Sequence, residues 1–232
     1  MNILKYNDLE LNSCNYEEAV KIDKRTFIEY YFSLLLTNHL LLFPFHKNDY
    51  NSFIIKLDFF FSSFVLYYSI NAMFFNDNTM HKIYEDGGSF NFIYQIPQII
   101  YSSILSVVIN LIIKFLSLSE KNILKIKQEK QIINIDKKVI ELLKILKIKF
   151  SIFFVLTFLL LLAFLHYITC FCGIYVNTQL HLIKDSVISF GLSLIYPFGI
   201  YLIPGIFRIP ALRAKNKDKN YLYKLSKFIQ NI

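Results

Sequence analysis

The chain has 232 residues, of which 55% are hydrophobic and 18% are charged, and its mean hydropathy is +0.42. Its six glycines and five prolines exclude a collagen-like or low-complexity protein, and its many apolar residues exclude a disordered polar chain. The net charge is +8, but the lysines and arginines are concentrated beside long apolar blocks, which is typical of membrane flanks. We therefore expect the chain to bind a lipid bilayer and not nucleic acid.

The start of the chain divides into a polar segment and a first apolar block. Residues 1–26 contain five acidic and four basic residues and are predicted to be a cytosolic N-terminal segment. Residues 27–45 are mostly apolar but include Glu29, Asn38 and His39. Because a charge at the centre of a span costs about 3 kcal/mol, we predict an interfacial or re-entrant helix here, with an additional span as the alternative.

The next two apolar blocks predict a first transmembrane hairpin over residues 53–117. Residues 53–75 and 93–117 each exceed the roughly 20 residues that a helix needs to cross a bilayer. Residues 76–92 contain three acidic residues and one lysine and are predicted to be an outer loop.

A basic cytosolic linker is predicted over residues 118–149, because nine lysines lie between Glu120 and Phe150. The second half of this linker begins the run DKKVIELLKILKIKF, in which apolar and basic residues alternate at short intervals. We predict that this run continues as one helix into the following span.

A second transmembrane hairpin is predicted over residues 150–207. Its two spans are 150–175 and 186–207, and a short link joins them. Pro197 and Pro204 lie inside the second span, where each removes a helical hydrogen bond. We therefore predict a kink or a break in this helix.

Residues 208–232 are predicted to be a basic cytosolic tail that contains an amphipathic helix. The tail includes seven lysines and arginines. Its apolar residues recur at helical spacing beside lysines, so the helix is expected to lie on an anionic leaflet. These apolar residues are Leu225, Phe228, Ile229 and Ile232.

These segments together predict an all-α protein, an integral membrane helical bundle with four strong spans and one interfacial or re-entrant helix. The positive-inside rule places the basic segments 118–149 and 208–232 in the cytosol. The sequence leaves open which membrane this is.

Two asparagines lie within the predicted spans. Asn71 and Asn110 carry amides that are costly in lipid unless they hydrogen-bond. We predict that both make intramembrane polar contacts between helices, and the alternative is that they line a pore.

Two groups of residues have the composition of a metal site. His166 and Cys170 share a helix face, and Cys172 follows, but three cysteines and histidines need a fourth ligand from elsewhere. His81 and Glu85 form a second such pair in the outer loop. Packing of the cysteines near a span end and a solvated loop are the favoured interpretations. We predict no catalytic, cofactor-binding or metal residue and no cofactor.

Several stretches carry a resemblance to a known family. The chain resembles a family of protist multi-pass membrane proteins with no established activity. The resemblance lies in stretches such as KNDYNSFIIKLDFFF, LSLSEKNIL and IYVNTQLHLIKDSVISFGLSLIYPFGIYLIPGIFRIPALR. The resemblance implies a membrane location and a cytosolic start, and it implies that the chain is the membrane module of something larger or a truncated copy. A fainter similarity connects Asn71-Ala72-Met73-Phe74 and the return after it to the non-pore helices of polycystin-type proteins.

Three functional hypotheses follow from this sequence. The first is a non-catalytic anchor or assembly module of a larger receptor- or channel-like system, with a protein partner or a second copy of the chain. The second is a transporter or channel subunit that uses Asn71, Asn110 and the broken last span. The third is a membrane-embedded enzyme that uses His166 or His181.

Overall fold

The computed structural model describes residues 6–47, 50–74, 77–87, 91–128, 135–174, 176, 179–214 and 219–230. These residues form helices joined by short turns and include no β-strand. The α-helices in chain order are α1 (Asp8–Ser13), α2 (Tyr16–Ile22), α3 (Phe27–Asn38), α4 (Phe53–Met73), α5 (Asp77–Glu85), α6 (Phe92–Ser117), α7 (Glu120–Gln128), α8 (Ile135–Ile174), α9 (Gln179–Ile200), α10 (Leu202–Arg213) and α11 (Asn220–Gln230).

Four helical stretches are long and apolar enough to cross a membrane, which confirms the predicted all-α fold class with four spans. They are Phe53–Met73, Ile96–Ser117, Asp136–Ile174 and Gln179–Arg213. The last of them includes both α9 and α10.

The chain forms two compact units that do not follow the linear order of the predicted segments. The central unit consists of Ile54–Leu118 and Ile135–Ser193. The terminal unit consists of Met1–Phe53, Ser119–Asn134 and Leu194–Ile232.

Aromatic side chains hold the helices of the central unit together. Phe64 on α4 meets Phe190 on α9 edge-on, with ring centroids 5.0 Å apart. Tyr68 on α4 meets Phe164 on α8 in the same way at 5.5 Å. Such pairs add about 0.5–1.5 kcal/mol each to the free energy gained by burying their surface.

The segment 76–92, predicted to be an outer loop between two spans, contains the short helix α5, which sequence analysis did not predict. This helix buries Met80 and Ile83, which pack in one cluster with Ala72 and Phe171. A short amphipathic helix is stabilised mainly by such packing. The polar residues of the segment, taken alone, do not indicate these contacts.

Helix α8 runs without interruption from the basic linker through the third span, which confirms the predicted continuity. It has 40 residues. At 1.5 Å per residue its length is about 60 Å.

The last predicted span differs in its bounds from the helices that contain it. Residues predicted as a link belong to α9, which begins at Gln179, and α10 continues to Arg213. Between the two helices, Tyr201 has φ −70° and ψ −8°. Its backbone N–H still donates to the carbonyl of Pro197 at 3.0 Å.

The predicted interfacial or re-entrant segment 27–45 contains α3 and a 3₁₀ turn at Phe43–Phe45. The 12 residues of α3 rise about 18 Å, which is shorter than the roughly 30 Å hydrocarbon core. Glu29 belongs to a capping box, in which Thr26 N donates to Glu29 Oε2 at 2.7 Å and Glu29 N donates to Thr26 Oγ1 at 3.3 Å. This charge marks the start of the helix and not its middle.

Part of the predicted basic linker belongs to the terminal unit, where α7 is held against α1. Glu10 accepts hydrogen bonds from Lys127 Nζ and from the Tyr50 hydroxyl, the latter at 2.8 Å. Burial raises the pKa of Glu10, but these hydrogen bonds outweigh it and the net pKa is lowered. The same contact with Glu10 raises the pKa of Lys127 to about 12.

Candidate functional site

Asn71 joins three helices of the central unit. Its side chain is buried on α4, and Nδ2 donates to the Ser186 hydroxyl of α9 at 3.3 Å. The hydroxyl of Ser102 on α6 lies 3.2 Å from Asn71 Oδ1. The amide that the sequence singled out therefore contacts hydroxyls from two other helices, an arrangement typical of membrane helix packing.

Asn110 makes a separate contact about two helical turns away in the same unit. Its Oδ1 lies 2.8 Å from the hydroxyl of Ser63, which links α6 to α4. The two asparagines thus use different serines, and both contacts connect α4 with α6.

A lysine also joins two helices of the central unit. Lys149 on α8 is buried, and its Nζ donates to the carbonyl of Leu118 at 2.5 Å. The ammonium lies 4.9 Å from the centre of the Phe115 ring. Lys149 therefore caps the C-terminal end of α6, where a positive charge is favourable.

Of the charged residues that the structure describes, the most deeply buried one lies in the terminal unit. Arg208 on α10 is 0% exposed, and its Nη2 and Nε donate to Asp23 Oδ2 at 2.9 and 3.2 Å. Nη2 also donates to the carbonyl of Leu11 at 2.7 Å. A buried arginine thus ties the end of the last candidate span to the loop between α2 and α3.

A second arginine binds the same carboxylate. Arg25 donates from Nε to Asp23 Oδ1 and from Nη2 to Asp23 Oδ2, both at 2.9 Å. It also reaches Asn12 Oδ1 at 3.0 Å and the Ser33 hydroxyl at 2.8 Å. We call the set Asn12, Asp23, Arg25, Ser33 and Arg208 the polar junction.

The charge state of Asp23 follows from these partners. Burial raises the pKa of the carboxyl, but the hydrogen bond and charge of Arg25 and the charge of Arg208 outweigh it. The pKa is therefore held below its ordinary value, and the carboxylate stays ionised at neutral pH.

Two tyrosine rings enclose the Arg208 guanidinium. Its Cζ lies 4.9 Å from the centre of the Tyr30 ring and 4.7 Å from that of Tyr223. Nη1 is buried and has no hydrogen-bond partner within the described part of the chain, so the ring faces supply the attraction on that side. Burial raises the pKa of Tyr223 to about 12, and its hydroxyl donates to the carbonyl of Cys14 at 2.8 Å.

Lys227 on α11 completes the attachment of α11 to the N-terminal helices. Its Nζ donates to the carbonyls of Ser13 and Cys14, at 2.7 and 3.1 Å. These carbonyls lie at the C-terminal end of α1, where lysines commonly satisfy unpaired backbone groups.

The charged groups of the polar junction connect distant parts of the chain. The junction consists of two guanidinium groups, one carboxylate, one amide and one hydroxyl. The three charged groups hold together segments that lie 185 residues apart in the chain.

Sequence analysis did not single out Asp23, Arg25 or Arg208. One signal was present: Arg208 lies in the run IPGIFRIPALR, where an isolated arginine among apolar residues indicates a partner elsewhere. The identity of that partner cannot be read from local sequence.

Pro197 and Pro204 lie on either side of the interruption at Tyr201. The carbonyl of Pro204 accepts a hydrogen bond from the Ser226 hydroxyl of α11 at 2.8 Å. A Cβ on the neighbouring Gly205 would lie 2.7 Å from Cε2 of Phe27. The helix that follows the interruption is therefore packed closely by both α11 and α3.

The residues considered for metal binding lie at or near the surface, and of the two cysteines Cys170 is exposed and Cys172 is half-buried. Cys170 Sγ is 3.9 Å from His166 Nε2, and both side chains are exposed. His81 Nε2 lies 3.1 Å from Glu85 Oε1, also at an exposed position. Within the described ranges, no three or more His, Cys, Asp or Glu residues come together as a metal site would need.

Comparison of the chain with protein-family models, curated proteins and solved structures finds no match. The resemblance to protist multi-pass membrane proteins stays a prediction.

Proposed function

We propose that this protein is a non-catalytic membrane anchor and assembly module that binds a partner chain along α8, with its basic segments in the cytosol. The length of α8 is the observation that carries the proposal. Its roughly 60 Å is about twice the thickness of the hydrocarbon core. Acyl chains can therefore cover only part of this helix.

The N-terminal part of α8 supports a protein partner. Ile140, Leu143 and Ile148 are 54%, 60% and 62% exposed, although they precede the most apolar part of the helix. When residues 150–174 cross the bilayer, these side chains lie beyond the acyl chains. Exposed apolar residues that no lipid covers are typical of a protein interface.

The apolar part of α8 supports the same proposal. Only 6% of its most apolar 18-residue stretch is buried within the protein, compared with 44% for the corresponding stretch of α4. Apart from the face that contains Phe153, Phe164 and Phe171, the surface of this helix is therefore available for lipid or for helices of another chain.

Cysteine cross-linking in native membranes tests this proposal. In a background with Cys14, Cys170 and Cys172 replaced by alanine, Leu143→Cys and Ile148→Cys are expected to cross-link to a second polypeptide of defined mass. Ile104→Cys on α6, which is similarly exposed at 58%, is the matched control and is expected to give no defined product.

Two outcomes of this cross-linking would contradict the proposal. One is the absence of any product from both α8 variants at native expression. The other is the same set of products from Ile104→Cys, which would indicate random collision in the membrane.

A transporter or channel subunit is the second candidate, favoured by the helix interruption at Tyr201. Interrupted helices line substrate paths in transporters. In reconstituted vesicles, Asn71→Leu and Pro197→Ala would both lower a measured flux. Ser69→Ala is the control, because the Ser69 hydroxyl donates to the carbonyl of Val65 in its own helix, at 2.8 Å. An unchanged flux in the first two variants would exclude this candidate.

A further inference from the structure

We infer that the terminal unit docks on an anionic phospholipid leaflet through apolar side chains that α3, α10 and α11 hold on its outside. The inference concerns a lipid-binding surface, and it does not depend on whether α8 has a protein partner.

The terminal unit buries one ion pair and exposes large apolar side chains on three of its helices. The side chains of Asp23 and Arg208 are 1% and 0% exposed. Apolar side chains on the three helices are exposed, some of them by more than 60%. Two from each helix are Ile28 and Phe32, Ile203 and Ile206, and Tyr221 and Phe228. Large exposed apolar side chains that are concentrated on neighbouring helices are typical of a surface that faces an apolar environment.

The position of these helices relative to α10 indicates that this environment is the membrane. Helix α10 is the end of the candidate span Gln179–Arg213. Helix α3 packs against it through Phe27 at Gly205. Helix α11 packs against it through the hydrogen bond of Ser226 to Pro204. Both short helices are therefore held beside a helix that belongs to a candidate span.

The charge on this surface selects an anionic leaflet. Helices α10 and α11 contain no acidic residue, α3 contains the exposed Glu29 at its N-terminal end, and Arg213, Lys219 and Lys224 are exposed. Each basic residue near an anionic membrane surface strengthens binding by about fivefold. Tyr221 adds an amphipathic ring of the kind that favours the headgroup region.

A single introduced tryptophan reports the surroundings of α11, because the chain has no tryptophan of its own. The full-length Phe228→Trp variant is reconstituted in vesicles of phosphatidylcholine, with and without phosphatidylserine. We expect its fluorescence to be quenched by brominated acyl chains and protected from acrylamide, with more protection when phosphatidylserine is present. Tyr6→Trp, also at an exposed position of the terminal unit, is the control. Its fluorescence is expected to be quenched by acrylamide and not by brominated acyl chains.

A charge variant tests the anionic selectivity. Lys219→Gln combined with Lys224→Gln is expected to remove the additional protection that phosphatidylserine provides. Tyr221→Trp repeats the measurement at a second exposed position, so that a folding defect at one position does not decide the result.

Three results would overturn the inference. The first is acrylamide quenching of Phe228→Trp and Tyr221→Trp equal to that of Tyr6→Trp, which means that water covers α11. The second is protection from acrylamide without quenching by brominated lipid, which means that a second copy of the chain covers it. The third is equal protection with and without phosphatidylserine.

Discussion

At the residue scale, the carboxylate of Asp23 compensates two positive charges in the polar junction. Arg25 and Arg208 both bind it, and the Arg208 guanidinium is fully buried. Removing one partner from a buried ion pair leaves a charge uncompensated, at a cost of about 3–5 kcal/mol. Surface ion pairs contribute about 1 kcal/mol or less, so burial decides which charges matter to stability.

Asp23→Asn is therefore expected to lower the free energy of unfolding by about 3–5 kcal/mol. Asp8→Asn is the control, because Asp8 binds Arg25 at 3.3 Å but its side chain is 34% exposed. Asp8→Asn is expected to lower the free energy of unfolding by less than about 1 kcal/mol. Denaturant unfolding in detergent micelles, followed by circular dichroism, measures both values. Equal losses in the two variants would show that the junction does not stabilise the fold.

The lowered pKa of Asp23 also predicts a dependence of stability on pH. Because the pKa is lower in the folded state, the stabilisation is fully present above the unfolded value of about 3.9. It is lost as the pH falls below this value through the folded-state pKa. We expect the difference in unfolding free energy between the wild type and Asp23→Asn to shrink between pH 5 and pH 2, as a pH series of unfolding curves would measure. A constant difference would contradict the assignment.

At the element scale, the approach of α3 to α10 depends on the absence of a side chain at Gly205. A Cβ there would lie 2.7 Å from the Phe27 ring. At Gly199, near the end of α9, a Cβ would meet nothing within 4 Å. The two glycines thus lie in the same helical stretch but differ in their surroundings.

Gly205→Ala is expected to destabilise the protein by about 1–3 kcal/mol, because the ring and the helices must move apart. Gly199→Ala is expected to be neutral or to stabilise by up to about 1 kcal/mol, because alanine favours helix more than glycine does. Thermal unfolding of the two variants measures the contrast. A loss at Gly199 as large as at Gly205 would indicate that helix geometry and not packing limits both sites.

The sequence predicted the long helices well and the short ones less well. Lipid requires long apolar runs, so the four spans and the continuity of α8 were visible in composition alone. The spacing of Thr26 and Glu29 is also a local signal, because it is typical of a capping box at the start of a helix. Helix α5 was missed because Met80 and Ile83 stabilise it through packing with Ala72 and with Phe171, and Phe171 comes from a distant position in the chain.

The polar junction could not be predicted for a related reason. Asp23 and Arg208 are 185 residues apart, and the sequence around each of them does not indicate that the other is its partner. Asn71 and Asn110 were visible as polar residues in apolar runs, but their partners Ser63, Ser102 and Ser186 were not. Single-sequence patterns identify groups that need a partner and leave the partner unspecified.

At the scale of the whole molecule, the terminal unit combines the first and last parts of the described chain. Deleting residues 1–26 removes Asp23 and Arg25 and leaves Arg208 without its carboxylate. It also removes the carbonyls that bind Tyr223 and Lys227. The attachment of α11 should weaken, because its hydrogen bonds to α1 are lost.

Limited proteolysis with trypsin in detergent measures this effect. Cleavage after Lys224 in α11 is expected to be faster in the deletion variant than in the wild type. Cleavage after Lys82 in α5, which belongs to the central unit, is the internal control and should be unchanged. Equal rates after Lys224 in both proteins would show that α11 is held by α10 alone.

The separation of Asp23 from Arg208 has a consequence for biosynthesis. At 5–20 residues per second, Asp23 is added to the growing chain about 10–40 s before Arg208. Translation that stops between residues 175 and 207 yields a polypeptide with three complete candidate spans, in which Asp23 has Arg25 as a partner but lacks Arg208. The salt bridge between Asp23 and Arg208 thus forms only in a chain translated past residue 208. A shorter product lacks this contact and is more exposed to cellular proteases.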